Sequence, residues 1–544
     1  MEDLAVSKRL DHHGIVAGVI KDLGLIPLID EALGSSGCEE ISEGEAVAAM
    51  IINGLGFTDR PLSLTPQFFN QVPVEELFRE GVDSNHFNRH KLSRALDKIH
   101  RYGSSRLFLL LANSAAQQEG IAKNEPVSLD TSSFSVTGAK YEDTDENEVK
   151  ISHGFSKDHR PDLPQIIQEL IVSHDASVPL AMCCHSGNAS DNTVFTERCE
   201  ELKSKLEFKD GNKILVADSK LYCEKNSANL RDISFVTRIP ETITVAKDLI
   251  QKSCSEPDKW EPFGEEHQCK RYSLEHYGID QRWIVSYSQQ GLLRASKRVE
   301  KNFAKEKAKI DSDLLHLQST DFFCASDAQK ALNLILKKWK YHSCSTSDIQ
   351  ELARYTRRGR PKSGSNPDSL VYKIRVTYSE MLPAEKDLMI LRKACFILGT
   401  NCLDLTSSEV IKTYKSQGGV ERGFRFLKDP LFFTSSFFLK KPERIEGLIT
   451  VMTLALLVYS IAQRRLRKAL RKEDQTIPNQ IGKPIRNPTM KWVFQIFFGI
   501  NIISLRVDEK IKKIIQGIDY IHLRVLKYTS QQAFKIYTAC NATT

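Results

Sequence analysis

Two short apolar runs that end in aspartate constrain the fold of this chain more than any other feature. Val127–Leu129 is followed by Asp130, and Ile214–Ala217 is followed by Asp218. Such runs predict buried strands, so each aspartate is expected at a strand end. Glu421 lies in a stretch that predicts a helix. Three carboxylates brought together from these positions could hold two divalent metal ions for phosphodiester chemistry.

Each acid also has an ordinary structural explanation. An aspartate directly after a strand is commonly a turn residue or the N-cap of a helix. The sequence around all three acids is what favours the functional interpretation.

Several motifs surround these acids and extend over most of the chain: Leu129–Ser132, His153–Gln165, Gly187-Asn188 with Asp191, Phe235–Pro240, and the Glu421 helix followed by Phe424–Pro430. In these motifs the chain resembles the DDE transposases of bacterial and archaeal insertion sequences. It is most similar to the subgroup with a large insertion between the second Asp and the Glu.

The resemblance implies an α/β fold with an RNase H-like catalytic core, and Asp130, Asp218 and Glu421 as its metal-binding catalytic residues. It also implies two Mg²⁺ (or Mn²⁺) ions as cofactors. The expected partner is DNA, both the terminal inverted repeats of the transposon and the target. A homodimer in the DNA complex and a hairpin intermediate during excision are implied as well.

The expected domain order combines this resemblance with the residue pattern. A helical N-terminal domain at 1–118, with a possible role in DNA-end binding, precedes the first part of the core at 119–240. A mainly β insertion domain is expected at 241–393. The second part of the core at 394–474 carries the Glu421 helix, and a helical tail at 475–544 completes the chain.

The Glu421 helix presents a polar face with candidate DNA contacts. At about 100° per residue, Tyr414, Gln417, Glu421 and Lys428 fall within an arc of about 60°, bordered by Arg425. Lys428 and Arg425 are expected to contact phosphate. Gln417 stands where the subgroup has Arg, and Gly418-Gly419 predicts a helix that bends or begins there.

A second candidate DNA contact lies in the insertion. The stretch Arg357–Gly364 resembles an AT-hook, in which Arg358 and Arg360 would enter a narrow minor groove. A flexible basic loop is the structural alternative. In relatives an insertion-domain tryptophan stacks on a flipped base, and the candidates here, each also explained by core packing, are Trp260, Trp283 and Trp339.

Charge and cysteine usage narrow the class of protein further. Residues 394–544 carry 24 Lys and Arg against 11 Asp and Glu, and this basic section fits contact with a polyanion. The 12 cysteines include no Cys-x-x-Cys pair, which indicates reduced thiols in a cytosolic protein, and the resemblance implies the cytoplasm of a bacterium or archaeon. The N-terminus has no signal-peptide pattern, and Leu448–Ala462 predicts a buried helix with no membrane involvement.

The sequence therefore predicts a DNA transposase that cleaves and transfers DNA strands by a metal-dependent mechanism. One alternative is a catalytically inactive, transposase-derived DNA-binding protein. Another is a phosphatase with Asp130 as nucleophile, but that class requires an acid two residues later, where Ser132 stands.

Overall fold

The computed structural model describes residues 5–34, 37, 39–57, 61–122, 125–137, 141, 149–189, 213–263, 267–355, 366–431, 439–507 and 510–539. The chain divides into two compact units. The first comprises Met1–Thr237, Glu275–Ile279 and Thr400–Thr544, and the second comprises Arg238–Leu274 and Asp280–Gly399. The second unit thus lies between Asp218 and Glu421 in the chain, close to the predicted bounds of the insertion.

The N-terminal part of the first unit is largely helical, as predicted for residues 1–118. After the strand β1 (Ala5–Arg9), its helices are α1 (His13–Asp22), α2 (Leu25–Leu33), α3 (Glu43–Gly54), α4 (Thr65–Asn70), α5 (Val74–Leu77), α6 (Arg89–Tyr102) and α7 (Ser104–Gln118). Side-chain caps explain several helix starts. A reciprocal capping box between Ser42 and Glu45 begins α3, and the Asn88 side chain caps α6.

A mixed sheet follows in the first unit. Its strands are β2 (Val127–Ser135), β3 (Gln165–Ser173), β4 (Pro179–Ser186), β5 (Ile214–Ala217) and β6 (Ser234–Ile239), with the short helix α8 (Ser227–Leu230) before β6. They lie in the order β4-β3-β2-β5-β6. The first three pair antiparallel, whereas β5 runs parallel to both β2 and β6. All of β3 is buried, which requires cover on both faces of the sheet.

Several sequence predictions in this region are confirmed. The residue pattern predicts a hairpin over Ile166–Cys184, with its turn at His174–Ser177, and a strand at Phe235–Ile239. The structure contains both, as β3–β4 and β6. The predicted helix at Asp191–Leu206 and the acidic cluster at 142–148 lie outside the described residues.

The second unit contains long helices as well as strands. Its elements are α9 (Thr244–Ser255), β7 (Glu261–Phe263), β8 (His267–His276), β9 (Ile279–Ser288), α10 (Gln289–Ser319), α11 (Ala325–Leu336), β10 (His342–Arg354), β11 (Ser369–Glu380), α12 (Pro383–Ala394) and β12 (Phe396–Thr400). Strands β12-β9-β8-β7 are neighbours in that order, and β10 pairs with β11. The description as mainly β is wrong, because the 31-residue α10 and its companion helices contribute as much as the strands.

The chain after the insertion completes the first unit. Its helices are α13 (Ser407–Lys415), α14 (Gly418–Leu427), α15 (Pro442–Lys472), α16 (Met490–Ile496), α17 (Tyr520–Thr529) and α18 (Gln531–Thr538). Helix α15 is long and apolar enough to span a membrane by length and composition, but 83% of its apolar window is buried within the protein. It is therefore a core helix, as predicted for Leu448–Ala462.

The tail is not purely helical, which corrects the sequence prediction for 475–544. It contains a short pair, β13 (Ile477–Pro478) with β14 (Pro484–Ile485), and a hairpin, β15 (Asn501–Val507) with β16 (Lys510–Gln516). Strand β1 adds antiparallel to β15, so the two ends of the described chain share one sheet. Apolar residues at helical spacing in this tail, Val493, Ile496, Phe497 and Ile500, predict a packed stripe. In the structure all are buried except Ile496, which is half-buried.

Candidate active site

Asp130 lies within strand β2 rather than at its end, which corrects the sequence prediction. It is the fourth of nine strand residues and is half-buried. The polar run after it, Thr131–Ser133, has the composition of a turn, but its side chains are buried in the sheet. Ser133 illustrates the reason, because its hydroxyl accepts a hydrogen bond from the Lys157 backbone at 3.0 Å. Such tertiary partners satisfy small polar residues inside a strand.

Asp218 directly follows strand β5, as predicted, and lies beside Asp130 by strand register. Val127 pairs with Leu215 and Ser128 with Val216 in the parallel ladder. Continued by two residues, this register puts Asp130 level with Asp218. Side chains two residues apart share a face, and neighbouring strands are ~4.8 Å apart. Extended past the last paired residues, this register predicts that the two aspartates lie next to each other on one face of the sheet.

The predicted Glu421 helix is two helices. Helix α13 ends at Lys415 and α14 begins at Gly418, so the chain breaks at Ser416-Gln417, next to the double glycine. The angular relation predicted for Tyr414 and Gln417 with Glu421 is therefore wrong. The relation between Glu421 and Lys428 holds, because seven residues bring a helix back to within about 20°.

Helix α14 lies over the face of the sheet that carries Asp130. Leu170 is directly opposite Asp130 in the β2–β3 pair, so both side chains lie on that face. A Cβ built on Gly423 would meet the Leu170 side chain at 3.1 Å. The absence of a side chain at Gly423 therefore lets α14 approach the sheet closely at this level.

Contacts at the two ends of α14 fix its direction along β2. Before its start, Ser416 is joined through His174 to Ser128. At its end, the Lys428 ammonium lies 5.2 Å from the centre of the Phe134 ring. Ser128 and Phe134 lie on the Asp130 face, because all three are separated by even numbers of residues.

This direction brings Glu421 level with Asp130. Glu421 is five residues after Ser416, which corresponds to a rise of about 7.5 Å along a helix. Asp130 is two residues after Ser128, which corresponds to about 6.7 Å along a strand. Glu421 is exposed and lies on the same side of α14 as Lys428, the side that reaches β2. The three acids predicted from sequence therefore share one region of the first unit.

His174 connects the strand of Asp130 to the start of the Glu421 helix. Its Nδ1 lies 2.7 Å from the Ser416 hydroxyl, which itself donates to the Thr413 carbonyl at 2.6 Å. Ser416 therefore accepts from Nδ1–H, and Nε2 accepts from the Ser128 hydroxyl at 2.9 Å. Burial lowers the pKa of His174 to about 4, so the ring is neutral at physiological pH. The sequence prediction treated His174 only as a turn residue.

Two lysines add positive charge around Asp130. Lys157, from the motif His153–Gln165, donates to the Thr131 hydroxyl at 2.8 Å, and its ammonium lies 3.8 Å from Asp130 Oδ1. Lys428 pairs with Asp158 at 2.7 Å. Burial lowers the pKa of Lys428, although Asp158 opposes that shift. The motif was recognised in the sequence, but the position of Lys157 beside Asp130 required the fold.

The donor chemistry of this region fits a hard divalent cation. Asp130 and Asp218 supply oxygen ligands of the kind that Mg²⁺ and Mn²⁺ prefer. Among the described residues, no group of three or more His, Cys, Asp or Glu side chains is gathered closely enough to hold a metal ion. Asp130 and Asp218 thus remain candidate oxygen ligands, and Glu421 does not complete a ligand cluster with them among the described residues.

The other predicted DNA contacts lie on different elements and differ in how exposed they are. Arg425 is exposed on α14, Gln417 is the half-buried N-cap residue of that helix, and Tyr414 is half-buried on α13. Arg358 and Arg360 lie outside the described residues. Of the tryptophans, Trp283 is fully buried in the second unit, which makes it a core residue in this structure.

Comparisons with known proteins identify the class. Residues 123–458 match the family model described as "Transposase DDE domain", and residues 5–113 match one described as "Domain of unknown function (DUF4277)". The first match covers more than half of the chain and includes all three acids. This chain belongs to the DDE transposase family.

Comparisons with curated proteins and with solved structures do not strengthen this family assignment. No curated protein matches the chain at a significant level. A solved structure, the cryo-EM structure of the piggyBac transposase synaptic complex with hairpin DNA, is similar with 8% sequence identity and a TM-score of 0.35. The similarity covers 89% of this chain and 79% of that chain. Because so low a TM-score does not establish a shared fold, the family assignment rests on the sequence match.

Proposed function

We propose that this protein is a transposase that cleaves DNA and transfers the cut strands, with Asp130, Asp218 and Glu421 as its catalytic carboxylates. The observation that carries the proposal is the register of β2 with β5, which sets Asp130 level with Asp218 beneath the helix of Glu421. The family match independently covers these residues. An RNase H-like core accounts for this order of strands and helix.

In the proposed mechanism, Asp130, Asp218 and Glu421 would hold two Mg²⁺ or Mn²⁺ ions. Ions bound there would activate the attacking oxygen and neutralise charge on the scissile phosphate. Lys428 and Arg425 orient the phosphodiester from the end of α14. Lys157 offsets the mutual repulsion of the aspartates, since its ammonium lies 3.8 Å from Asp130.

The reaction consists of two displacements at phosphorus. Water first attacks the phosphodiester and the 3′-oxygen leaves with a proton. The new 3′-hydroxyl then loses its proton and attacks a target phosphodiester, whose own 3′-oxygen leaves and takes up a proton, so that one bond forms for each bond broken. His174 keeps α14 in register with β2 during both steps through its bonds to Ser128 and Ser416.

The proposed partners are terminal inverted repeats and target DNA, bound by a homodimer in the cytoplasm. The basic section from residue 394 onward provides the electrostatic attraction for these polyanions. Arg358 and Arg360 remain proposed minor-groove contacts.

The test compares Asp130→Ala with Asp404→Ala, a matched change at an exposed aspartate of the same unit. A plasmid carrying the coding region with its flanking DNA is incubated with Mg²⁺, and strand cleavage is followed on gels. We expect Asp130→Ala to lose more than about a hundredfold in cleavage rate, the scale for removing one electrostatic contact to the transition state. DNA binding should persist in both variants.

Two outcomes would contradict the proposal. Undiminished cleavage by Asp130→Ala would remove this residue from the mechanism. Specific DNA binding without any cleavage by the unchanged protein would support the alternative of a catalytically inactive, transposase-derived DNA-binding protein.

A further inference from the structure

A cavity of about 630 Å³ lies in the first unit, apart from the three candidate carboxylates. Its walls come from the hairpin turn after β3, from α14 and from the second half of α15. None of Asp130, Asp218 and Glu421 lines it. The residues Ala176 and Ser177 of the turn have left-handed backbone angles, with φ of 61° and 57°, which non-glycine residues seldom adopt.

The cavity lining has a strong excess of positive charge. Its cationic residues are Arg422, Arg464, Arg467, Lys468 and Arg471, and its one carboxylate is Asp175. Arg464 pairs with Asp175 and with Glu119, so its charge is already balanced inside the protein. In the part of the chain that the structure describes, the other four cations make no ion pair with a carboxylate.

Three of these four cations, Arg467, Arg471 and Arg422, are close enough to repel one another. Burial lowers the pKa of Arg467, and the neighbouring Arg471 and Arg422 lower it further. The Arg467 side chain is also fixed in place, since its Nε donates to the Pro488 carbonyl at 2.8 Å. Positive charges that lie close together without a neighbouring negative charge repel one another. A bound anion reduces that repulsion.

The inner wall of the cavity is apolar and aromatic. It includes Leu456, Phe426 and Tyr459, and the two aromatic rings lie 4.7 Å apart. An anion with an attached organic part would match both this wall and the cationic side chains. The backbone of a DNA strand has that composition, with a phosphodiester for the arginines and a deoxyribose for the apolar wall.

We propose that this cavity is a second DNA-binding site, in which Arg422, Arg467, Lys468 and Arg471 bind the phosphodiester backbone. The proposal rests on the proposed function for its choice of DNA as the polyanion. Arg422 is the residue after Glu421, about 100° further around α14. DNA held in the cavity therefore contacts the helix of Glu421 from a different side than the DNA at the carboxylates.

The experiment measures how DNA affinity depends on salt for the full-length protein without divalent metal, so that no cleavage occurs. The probe is a duplex oligonucleotide of arbitrary sequence, because phosphate contacts are independent of sequence. The variant Arg422→Gln/Arg471→Gln removes two exposed charges from the cavity. The control Arg294→Gln/Arg298→Gln removes two exposed charges of α10 that do not line it and lie outside the basic section.

Each lost phosphate contact should flatten the slope of log K against log salt by about 0.9. We therefore expect the cavity variant to lose about 1.8 in slope, whereas the control retains the original slope. Equal slopes for the two variants would overturn the proposal. Circular dichroism spectra that match the unchanged protein would exclude unfolding as the cause of a difference.

A second probe, inorganic pyrophosphate, distinguishes a polymer from a free phosphorylated ligand. We expect duplex DNA to displace pyrophosphate from the unchanged protein. If pyrophosphate binds through Arg422 and Arg471 and DNA does not displace it, the cavity serves a small anion and the DNA assignment is wrong. This experiment does not measure cleavage. A change in the salt slope would therefore support the cavity as a DNA-binding site even if the Asp130→Ala test refuted the catalytic proposal.

Discussion

At the scale of single residues, the candidate site shows which features the sequence reveals and which require the fold. Asp218 was predictable because an apolar run ends directly before it. Asp130 was found as a candidate acid, but its place within β2 was not, because the turn-like Thr131–Ser133 has partners distant in sequence. The role of His174 was also hidden, since Ser416 is 242 residues away in the chain.

His174 should make stability depend on pH. Its pKa is about 4 in the folded protein and about 6.5 when the chain is unfolded. Between these values the unfolded chain binds a proton that the folded protein does not, so the free energy of unfolding falls as pH decreases from 6.5 to 4. In His174→Gln this contribution is missing. The stability advantage of the unchanged protein over the variant should therefore shrink across that range.

Urea unfolding at several pH values measures this difference. The buried His13, whose pKa is also about 4, is present in both proteins and cancels in the comparison. His316→Gln, at an exposed position of the second unit, provides the control. A difference between the unchanged protein and His174→Gln that stays constant from pH 6.5 to 4 would contradict the proposed neutral bridge.

At the scale of elements, helix α14 begins with two adjacent glycines, Gly418 and Gly419, whose surroundings differ. A Cβ on Gly418 would have only the Arg422 guanidinium near it, at 3.5 Å. A Cβ on Gly419 would lie 2.5 Å from the Ser177 hydroxyl, in the strained turn after β3. The sequence showed that a helix bends or begins at this pair, but not that only the second glycine is required for packing.

The two glycine-to-alanine changes should therefore have opposite effects. Gly418→Ala should raise the free energy of unfolding by about 0.4–1 kcal/mol, because it restricts the unfolded chain without a clash. Gly419→Ala should lower it by about 1–3 kcal/mol through overpacking. Denaturant unfolding of both variants measures these changes, and equal effects would show that Ser177 does not constrain α14.

At the scale of the whole molecule, local patterns predicted the helical N-terminal region, the β3–β4 hairpin and the buried α15, whereas the insertion was implied by the family resemblance. The pairing of β1 with β15 was not predictable, because its register joins Ala5 to Leu505 across almost the entire chain. Strand β16 was missed for another reason. Its sequence, Lys510–Gln516, places lysines and isoleucines without a clear alternation, and no local period identifies a strand.

Close packing of the two chain ends should make Gly18 indispensable. A Cβ on Gly18 of α1 would lie against the backbone nitrogen of Ala533 in α18. Gly18→Ala should lower the free energy of unfolding by about 1–3 kcal/mol or more, because helix backbones must separate. Thermal and denaturant unfolding measure the loss, with Gly418→Ala as the matched change in open space.

Shortening the facing side chain should not rescue this loss. In Gly18→Ala/Ala533→Gly the clashing backbone nitrogen remains, so the double variant should be no more stable than Gly18→Ala alone. Full recovery would mean that the contact is made by side chains and not by the backbone.

The shared sheet of β1 and β15 has a consequence for biosynthesis. A ribosome releases Ala5–Arg9 early, but the partner strand Asn501–Val507 leaves the exit tunnel only after the acids and the inserted unit have been made. The sheet that joins β1 to β15 thus cannot form until Asn501–Val507 has been made. A polypeptide that ends before Asn501 would carry all three acids yet leave β1 without its partner strand.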